Sequence, residues 1–225
     1  MPVPGFKKYF NKHPESKEKP KIELKNGISN KLFKEIDRSN ISIEKRFIVI
    51  YSGNFGLAQG LNSIINSAEI LKDYPIDFVM IGAGVKKDEL IHLVNKKELD
   101  NISFYDPVER NELIKWIKKA SVCLVPLKKD KLFKHALPSK MFEYMACSRP
   151  VICNDGEAGD LIKNSQSGRV ISPEQPILIS EAILYYYNNR EKIKSHGLNG
   201  YAFIKKNMIK ENLLRKLLIE IENVS

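Results

Sequence analysis

The most constraining feature of this sequence is a series of short apolar segments that alternate with amphipathic ones from Phe47 onward. Most of the apolar segments are continuous hydrophobic runs, which are typical of strands covered on both faces. The segments between them carry apolar residues at helical spacing. This alternation predicts an α/β fold with a doubly wound, parallel sheet. The predicted strands are F-I-V-I-Y-S (47–52), I-D-F-V-M-I (76–81), I-S-F-Y (102–105), V-C-L-V-P-L (122–127), V-I-C-N (151–154) and R-V-I-S (169–172).

The flanks of this core have a different character. Residues 1–46 contain a candidate basic helix from Gly5 to Lys12, followed by the charged stretch H-P-E-S-K-E-K-P-K, which we predict to be a loop. After Pro173 the pattern predicts a long helical region that ends in an amphipathic helix. The apolar face of that helix must cover something apolar, either its own sheet or a domain outside this chain. The face consists of Leu213, Leu214, Leu217, Leu218 and Ile221.

The net charge of +10 suits nucleic acid, an anionic membrane surface or a phosphorylated ligand. Nucleic acid is disfavoured, because the basic residues are scattered and are not interleaved with aromatic ones. No apolar run approaches the roughly 20 residues that span a bilayer, and the start M-P-V-P-G-F-K-K is not that of a signal peptide. Three cysteines without C-x-x-C spacing indicate buried free thiols in a reducing cytosol and disfavour a metal site.

Turns rich in small residues follow three of the predicted strands. S-G-N-F-G-L-A-Q-G follows the first strand, G-A-G the second and N-D-G-E-A-G the fifth. Ligands of doubly wound sheets bind beyond the carboxyl ends of the strands, where glycines let the backbone approach a ligand and offer N–H groups to phosphate. The three turns together indicate a nucleotide-type ligand. The G-A-G turn lacks the G-x-G-x-x-G fingerprint, which disfavours an NAD dehydrogenase.

The segment A-L-P-S-K-M-F-E-Y-M-A-C-S-R-P-V-I (136–152) carries the richest chemistry. Pro138 suits the opening of a helix near Ser139, whose free N–H groups and positive dipole end then face the strand-end crevice. Lys140 adds positive charge there, and Glu143 lies on the same side of the helix. Two interpretations remain open. Either a diphosphate binds at the helix start with ribose hydroxyls at Glu143, or Lys140 is a surface residue in an i,i+3 ion pair with Glu143.

These motifs resemble those of group 1 glycosyltransferases with the GT-B fold. P-S-K-M-F-E-Y-M-A-C-S-R-P-V-I followed by N-D-G-E-A-G-D-L-I resembles the family's donor-site signature, and Y-S-G-N-F-G-L-A-Q-G-L resembles the first strand and phosphate-side turn of its C-terminal domain. V-M-I-G-A-G, N-I-S-F-Y-D-P-V and the interdomain segment K-I-E-L-K-N-G-I-S-N-K-L-F are similar in order and spacing. The resemblance therefore covers nearly the whole chain.

The resemblance implies the C-terminal, nucleotide-sugar-binding half of a GT-B fold, with three parts. Residues 1–46 would be a remnant of the N-terminal domain with the interdomain segment. Residues 47–206 would be the donor-binding, Rossmann-like domain. Residues 207–225 would be a C-terminal helix, for which a missing N-terminal domain is the candidate partner.

The resemblance also implies roles for single residues. The backbone of the first turn should face the donor diphosphate, Ser139 and Lys140 should hold phosphate, and Glu143 should take the ribose hydroxyls. Because Lys140 and helix N–H groups neutralise the leaving diphosphate, no metal is implied. The turn at Asp106 to Val108 should border uracil or another base. The expected donor-binding residues are Gly53, Asn54, Gly56, Gly82, Gly84, Pro107, Val108, His135, Ser139, Lys140, Glu143 and Glu157.

The sequence departs from the family pattern at three places. His135 stands where the family commonly has a second glutamate close to the transferred sugar, and a surface histidine is an equally good interpretation. Gln59 stands in a region where many members grip phosphate with a basic residue, and the lysines between Lys128 and Lys134 are candidates to compensate. The start P-V-P-G-F-K-K-Y-F resembles only the tail of the acceptor-binding domain.

The implied function is that of a retaining, metal-independent glycosyltransferase half without a cofactor. It would transfer sugar from a nucleoside-diphosphate sugar, with UDP-sugar favoured, to a saccharide or lipid-linked acceptor in bacterial polysaccharide synthesis. Activity would need an N-terminal domain or a separate subunit. The expected location is cytoplasmic, and the basic surface suits contact with the inner face of the membrane. The alternative is a non-catalytic nucleotide-sugar-binding subunit of a split transferase, which His135 favours; a nucleotide-sugar epimerase fits the P-S-K block poorly.

Overall fold

The strands form one parallel sheet in the computed structural model, which describes residues 26–36, 46–131 and 133–222. They are β1 Phe47–Ser52, β2 Ile76–Ile81, β3 Ile102–Tyr105, β4 Val122–Val125, β5 Val151–Asn154 and β6 Gly168–Ile171. Their order is β3-β2-β1-β4-β5-β6, so the direction of winding reverses between β1 and β4. Doubly wound sheets bind ligands outside the carboxyl ends of the strands at this reversal. The predicted fold class is confirmed.

Helices cover both faces of the sheet. They are α1 Asn30–Glu35, α2 Asn62–Ile70, α3 Lys87–Lys96, α4 Arg110–Lys119, α5 Ser139–Ala146, α6 Glu157–Ser165, α7 Pro176–Asn188, α8 Arg190–Asn207 and α9 Lys210–Glu222. In β1, Val49 and Tyr51 belong to one hydrophobic cluster and Ile50 to the other. Because successive strand residues face opposite sides, both sides of the strand are buried. This is the physical reason for the continuous apolar runs in the sequence.

The bounds of two strands differ from the prediction. β4 ends at Val125 rather than at residue 127, because Pro126 has no N–H to donate to the ladder. The N–H of Leu127 donates instead to the side-chain oxygen of Asn154. β6 begins and ends one residue earlier than predicted, since its pairing with β5 runs from Gly168 opposite Val151 to Ile171 opposite Asn154.

The predicted long helical region after Pro173 is divided into α7, α8 and α9. No residue of α9 is buried, and its exposed apolar residues include Leu214, Leu218, Ile219 and Ile221. The start of α9 contacts the residues around the start of α1, where Ile28 pairs with Ile209 and the Glu211 carboxylate accepts the N–H of Asn30. The partner of the apolar face of α9 stays a prediction. The candidate helix from Gly5 to Lys12 lies outside the described residues.

Three further features of the described residues bear on the sequence predictions. No helix in these ranges is long and apolar enough to cross a membrane. The same ranges hold no group of three or more His, Cys, Asp or Glu side chains that could bind a metal ion. Cys123, Cys147 and Cys153 are buried and free, as predicted. Burial raises the pKa of each of these thiols, so they are poor nucleophiles.

Candidate functional site

The glycine turns after β1 and β2 contact each other at the carboxyl edge of the sheet. The N–H of Gly53 donates to the carbonyl of Ile81 over 2.9 Å. Gly82 has φ +149°, and a Cβ at this position would overlap the carbonyl oxygen of Gly53. Only glycine permits this approach. The Asn54 side chain reaches from the first turn to the second, since a Cβ on Gly84 would lie 2.5 Å from its Oδ1.

A cavity of about 270 Å³ lies beyond the carboxyl ends of β1, β2 and β3. Pro107 and Val108 line it together with the glycine turns, so the structure places the predicted base-binding residues beside the predicted diphosphate turn. Asp106 does not line it; its carboxylate is 2.5 Å from the ammonium of Lys87. The lining residues are Ser52, Gly53, Asn54, Ile81, Gly82, Ala83, Pro107, Val108 and Leu113.

Helix α5 is held against the end of β1 by one buried tyrosine. The hydroxyl oxygen of Tyr144 accepts the N–H of Ser52 over 2.8 Å and lies 2.9 Å from the Ser52 hydroxyl. Tyr144 is fully buried, so these hydrogen bonds satisfy polar groups that water does not reach. The anchor places the amino end of α5 beside the turn that follows β1.

Lys140 projects from the first turn of α5 towards that same turn. Its Nζ lies 3.9 Å from the centroid of the Tyr51 ring, and a Cβ on Gly53 would lie 2.7 Å from it. Burial lowers the pKa of Lys140 from 10.5 to about 7. Within the described ranges no carboxylate lies within 4.0 Å of this ammonium. The chain therefore holds a partly desolvated cation at the ligand-binding edge of the sheet without an acidic partner, while Ser139, one residue before it, is exposed.

Glu143 lies one turn further along α5. Its side chain is 27% exposed, and its Oε1 is 3.9 Å from Nη1 of Arg110, near the turn after β3. Burial raises the pKa of the Glu143 carboxyl, and the Arg110 guanidinium acts against that rise. Among the described side chains, Lys140 and Glu143 do not form the ion pair that the second interpretation requires. That interpretation is wrong.

His135 and Glu157 form a separate pair at the ends of β4 and β5. His135 ends the short 3₁₀ helix Phe133–His135, and its Nδ1 lies 2.8 Å from Oε1 of Glu157, the first residue of α6. Neither residue lines the cavity at β1–β3. The lysines at 128, 129, 131 and 134 line another cavity, of about 360 Å³, at the ends of β4 and β5. Gly56 lines a third cavity, together with Lys128.

Sequence reasoning missed three residues of this edge. Arg110 follows the base-side turn by two residues, so its place beside the crevice could have been found from the strand-end rule. No sequence pattern indicates a role in the site for Tyr51 or Tyr144. Their contacts with Lys140 and Ser52 join segments far apart in the chain, and in sequence both tyrosines have the pattern of ordinary core residues.

The reversal between β1 and β4, with glycine turns and a cationic helix start beside it, places the chain among doubly wound α/β proteins, a class that binds ligands at the carboxyl edge of the sheet. The particular family follows from comparison with known proteins. The model of the family described as glycosyl transferases group 1 matches residues 33–203. The chain belongs to this family.

Two relatives and one solved structure illustrate the match. A glycosyltransferase of Methanocaldococcus jannaschii is 30% identical over 182 residues, which are 73% of this chain and 50% of the relative. A protein of Escherichia coli named for colanic acid biosynthesis is 26% identical over 79% of this chain and 44% of its own length. The chain thus spans about half the length of the curated relatives it matches. The Anabaena protein HepE, solved in complex with UDP-glucose, superposes with a TM-score of 0.75 at 13% identity over 90% of this chain and 57% of HepE, which shows the shared fold.

Proposed function

We propose that this chain is the donor-binding half of a retaining, metal-independent glycosyltransferase that takes its sugar from a UDP-sugar. The observation that carries the proposal is Lys140, a desolvated ammonium beside the turn after β1 and without a carboxylate partner among the described residues. A charge in such a place costs free energy unless an opposite charge joins it. The donor diphosphate supplies that charge.

The start of α5 provides more than one positive group. The free N–H groups at the amino end of a helix and its dipole favour an anion, and Lys140 adds a formal charge at the same point. During transfer, negative charge grows on the diphosphate as the bond to the sugar breaks. Donors already fixed at that position stabilise the transition state, and this is the task that a divalent cation performs in other enzymes.

The nucleoside would bind on the β2 side of the diphosphate. The cavity of about 270 Å³ beside Pro107 and Val108 would receive the base. The Glu143 carboxylate, one helical turn beyond Lys140, would accept the ribose hydroxyls. The UDP-glucose complex of HepE, which shares the fold, supports a uridine nucleotide for this chain.

The acceptor side of the reaction would come from an N-terminal domain or a separate subunit, since the curated relatives are about twice as long as the part matched. The colanic acid name of the relative from Escherichia coli supports a saccharide or lipid-linked acceptor in bacterial polysaccharide synthesis. The net charge of +10 supports contact with the anionic inner face of the membrane.

The test is the melting temperature of the chain with UDP and a panel of UDP-sugars in the presence of EDTA. At a ligand concentration of 100 Kd we expect a rise of about 5–10 °C. Lys140→Met should abolish most of this rise, whereas the matched variant Lys72→Met, at an exposed site, should keep it. If no uridine nucleotide shifts the melting temperature, or if the shift requires magnesium, the proposal is wrong.

A transfer assay separates an enzyme from a binding subunit. The chain is combined with candidate N-terminal partners, and transfer of labelled sugar from UDP-sugar is measured. The proposal predicts transfer that is lost in Lys140→Met and retained in Lys72→Met. Binding of UDP-sugar without transfer by any combination would favour the non-catalytic subunit.

A further inference from the structure

Tyr51 contacts two separate elements at the ligand-binding edge of the sheet, the turn after β1 and the first turn of α5. Its hydroxyl donates a hydrogen bond to the carbonyl of Asn54 over 2.7 Å. The Nζ of Lys140 lies over its ring, 3.9 Å from the ring centroid. One side chain therefore contacts both the backbone of the turn and the cation of the helix.

The position of the Tyr51 ring is fixed by the sheet. Tyr51 is 1% exposed and pairs with Met80 of β2 in the parallel ladder. Its ring also packs against Phe55, with 5.9 Å between the ring centroids. Burial raises the pKa of the phenol well above its usual value, so the hydroxyl stays a neutral donor. Ring and hydroxyl thus form a rigid support under the turn and the ammonium.

The ring and the surrounding protein act on Lys140 in opposite directions. Burial disfavours the charged ammonium and lowers the pKa of Lys140 to about 7. The face of an aromatic ring carries partial negative charge and attracts a cation, most strongly where water is excluded. The Tyr51 ring therefore favours the ammonium over the neutral amine. The ammonium is also the form that attracts a diphosphate.

We propose that Tyr51 is a positioning residue of the donor site, whose ring holds the Lys140 ammonium against the turn after β1 and whose hydroxyl fixes the orientation of that turn. Because Tyr51 is buried, it acts through Lys140 and the backbone near Asn54 rather than by touching the ligand. This inference rests on the proposed function, since it assumes that a diphosphate binds at Lys140.

Other ionisable groups lie near the start of α5 and must stay unchanged in a test. They are Glu143 and Tyr144 on α5 itself and Arg110 on α4, whose Nη1 is 3.9 Å from Oε1 of Glu143. Burial raises the pKa of both Glu143 and Tyr144. Residues 53–57, which form the turn after β1, include no ionisable side chain. A test that alters only the charge distribution of the Tyr51 ring leaves all of these groups in place.

Fluorinated phenylalanines provide that test, because fluorine weakens the negative face of the ring and nearly preserves its shape. The chain is prepared with phenylalanine and with mono-, di- and trifluorophenylalanine in place of Tyr51, and the Kd for UDP is measured by calorimetry at pH 6 and pH 8. At pH 8 Lys140 is mostly neutral in the free protein and must gain a proton on binding. The Kd should therefore rise with each fluorine, by about tenfold over the series. At pH 6 Lys140 is already charged, so the Kd should hardly change.

Two further comparisons separate the hydroxyl from the ring and the site from the fold. Tyr51→Phe keeps the ring and removes the hydroxyl, so it should raise the Kd about threefold at both pH values. The same fluorinated series in place of Phe47, a buried ring of β1 that lies under the Arg190 guanidinium, should leave the Kd as in the wild type. The melting temperature of each unliganded variant verifies folding, and a purely structural role of the ring would not produce a trend confined to pH 8.

The outcomes distinguish this inference from the proposed function. If the wild type binds UDP but the fluorinated series at position 51 gives one Kd at pH 8, or an equal rise at pH 6 and pH 8, the role of the ring is wrong while the donor site stands. If Tyr51→Phe binds UDP like the wild type at both pH values, the role of the hydroxyl is wrong. If the wild type does not bind UDP, both proposals are wrong.

Discussion

At the scale of single residues, Lys140 has the most unusual environment of the proposed donor site. Its ammonium lies over the Tyr51 ring and beside Gly53, where burial holds its pKa near 7. Contact with an aromatic face returns only part of the hydration that a cation loses on burial. In the ligand-free protein the buried ammonium therefore lowers the free energy of unfolding, and an anionic ligand would offset this effect. The size of the effect depends on pH.

The lowered pKa of Lys140 should make the stability of the chain depend on pH. Lys140 has a pKa of about 7 in the folded chain and 10.5 when exposed in the unfolded chain, so between these values the unfolded state binds more protons. The free energy of unfolding should consequently rise with pH across this window, with Lys140 adding a slope of up to about 1.4 kcal/mol per pH unit. Below pH 7 the contribution of Lys140 should not change. Urea unfolding of the wild type and of Lys140→Met from pH 6 to pH 10 measures the difference, and parallel curves would contradict the assignment.

The same linkage applies to binding. A diphosphate raises the pKa of Lys140 again, so at pH 8 the complex should take up close to one proton from solution. Calorimetry of UDP binding in buffers of different ionisation enthalpy measures this number. Lys72→Met should show the same uptake, whereas Lys140→Met should show almost none.

At the scale of elements, the orientation of α5 relative to β1 decides where Lys140 and Glu143 lie. The Tyr144 hydroxyl makes the polar link between the two elements. Tyr144→Phe should lower the free energy of unfolding by about 1–3 kcal/mol, because it leaves the buried N–H of Ser52 without a partner. The control Tyr74→Phe, at a half-exposed ring, should change little. Equal stability of the two variants in urea would show that Tyr144 does not anchor the helix.

The elements themselves could be predicted from the sequence because their signals are local. Apolar runs and helical spacing gave all six strands and the helices between them, and the Pro138-Ser139 start of α5 followed from local rules for prolines and helix starts. The early end of β4 follows from Pro126, which has no N–H for the ladder. The side chain of Asn154, at the end of the neighbouring strand, then accepts the N–H of Leu127. That contact was not visible in the local pattern.

The candidate site likewise has features that could be predicted from the sequence and features that could not. The carboxyl-edge rule predicted that the turns at Gly53 and Gly82 lie together, and the family resemblance added the turn at Pro107. The structure places all three around one cavity. The Tyr51 contact of Lys140 and the Arg110 partner of Glu143 could not be predicted, because they depend on how side chains from separate elements pack. For the same reason the link between His135 and Glu157 was not foreseen.

At the scale of the whole molecule, the doubly wound sheet gathers short segments from many parts of the chain at one edge. The reversal between β1 and β4 separates one side of this edge, at the ends of β1, β2 and β3, from a second side at β4 and β5. Helix α5 begins between them and carries the cation. Under the proposed function, this division would place the base on the first side and the diphosphate at the start of α5.

A crystal structure of the chain with UDP, grown in EDTA, tests this arrangement most directly. We predict that the diphosphate lies within hydrogen-bond distance of Lys140 Nζ and of backbone N–H groups in the first turn of α5, with the ribose hydroxyls on the Glu143 carboxylate and uracil beside Val108. A diphosphate bound away from Lys140, or a nucleotide seated at another edge of the sheet, would contradict the account.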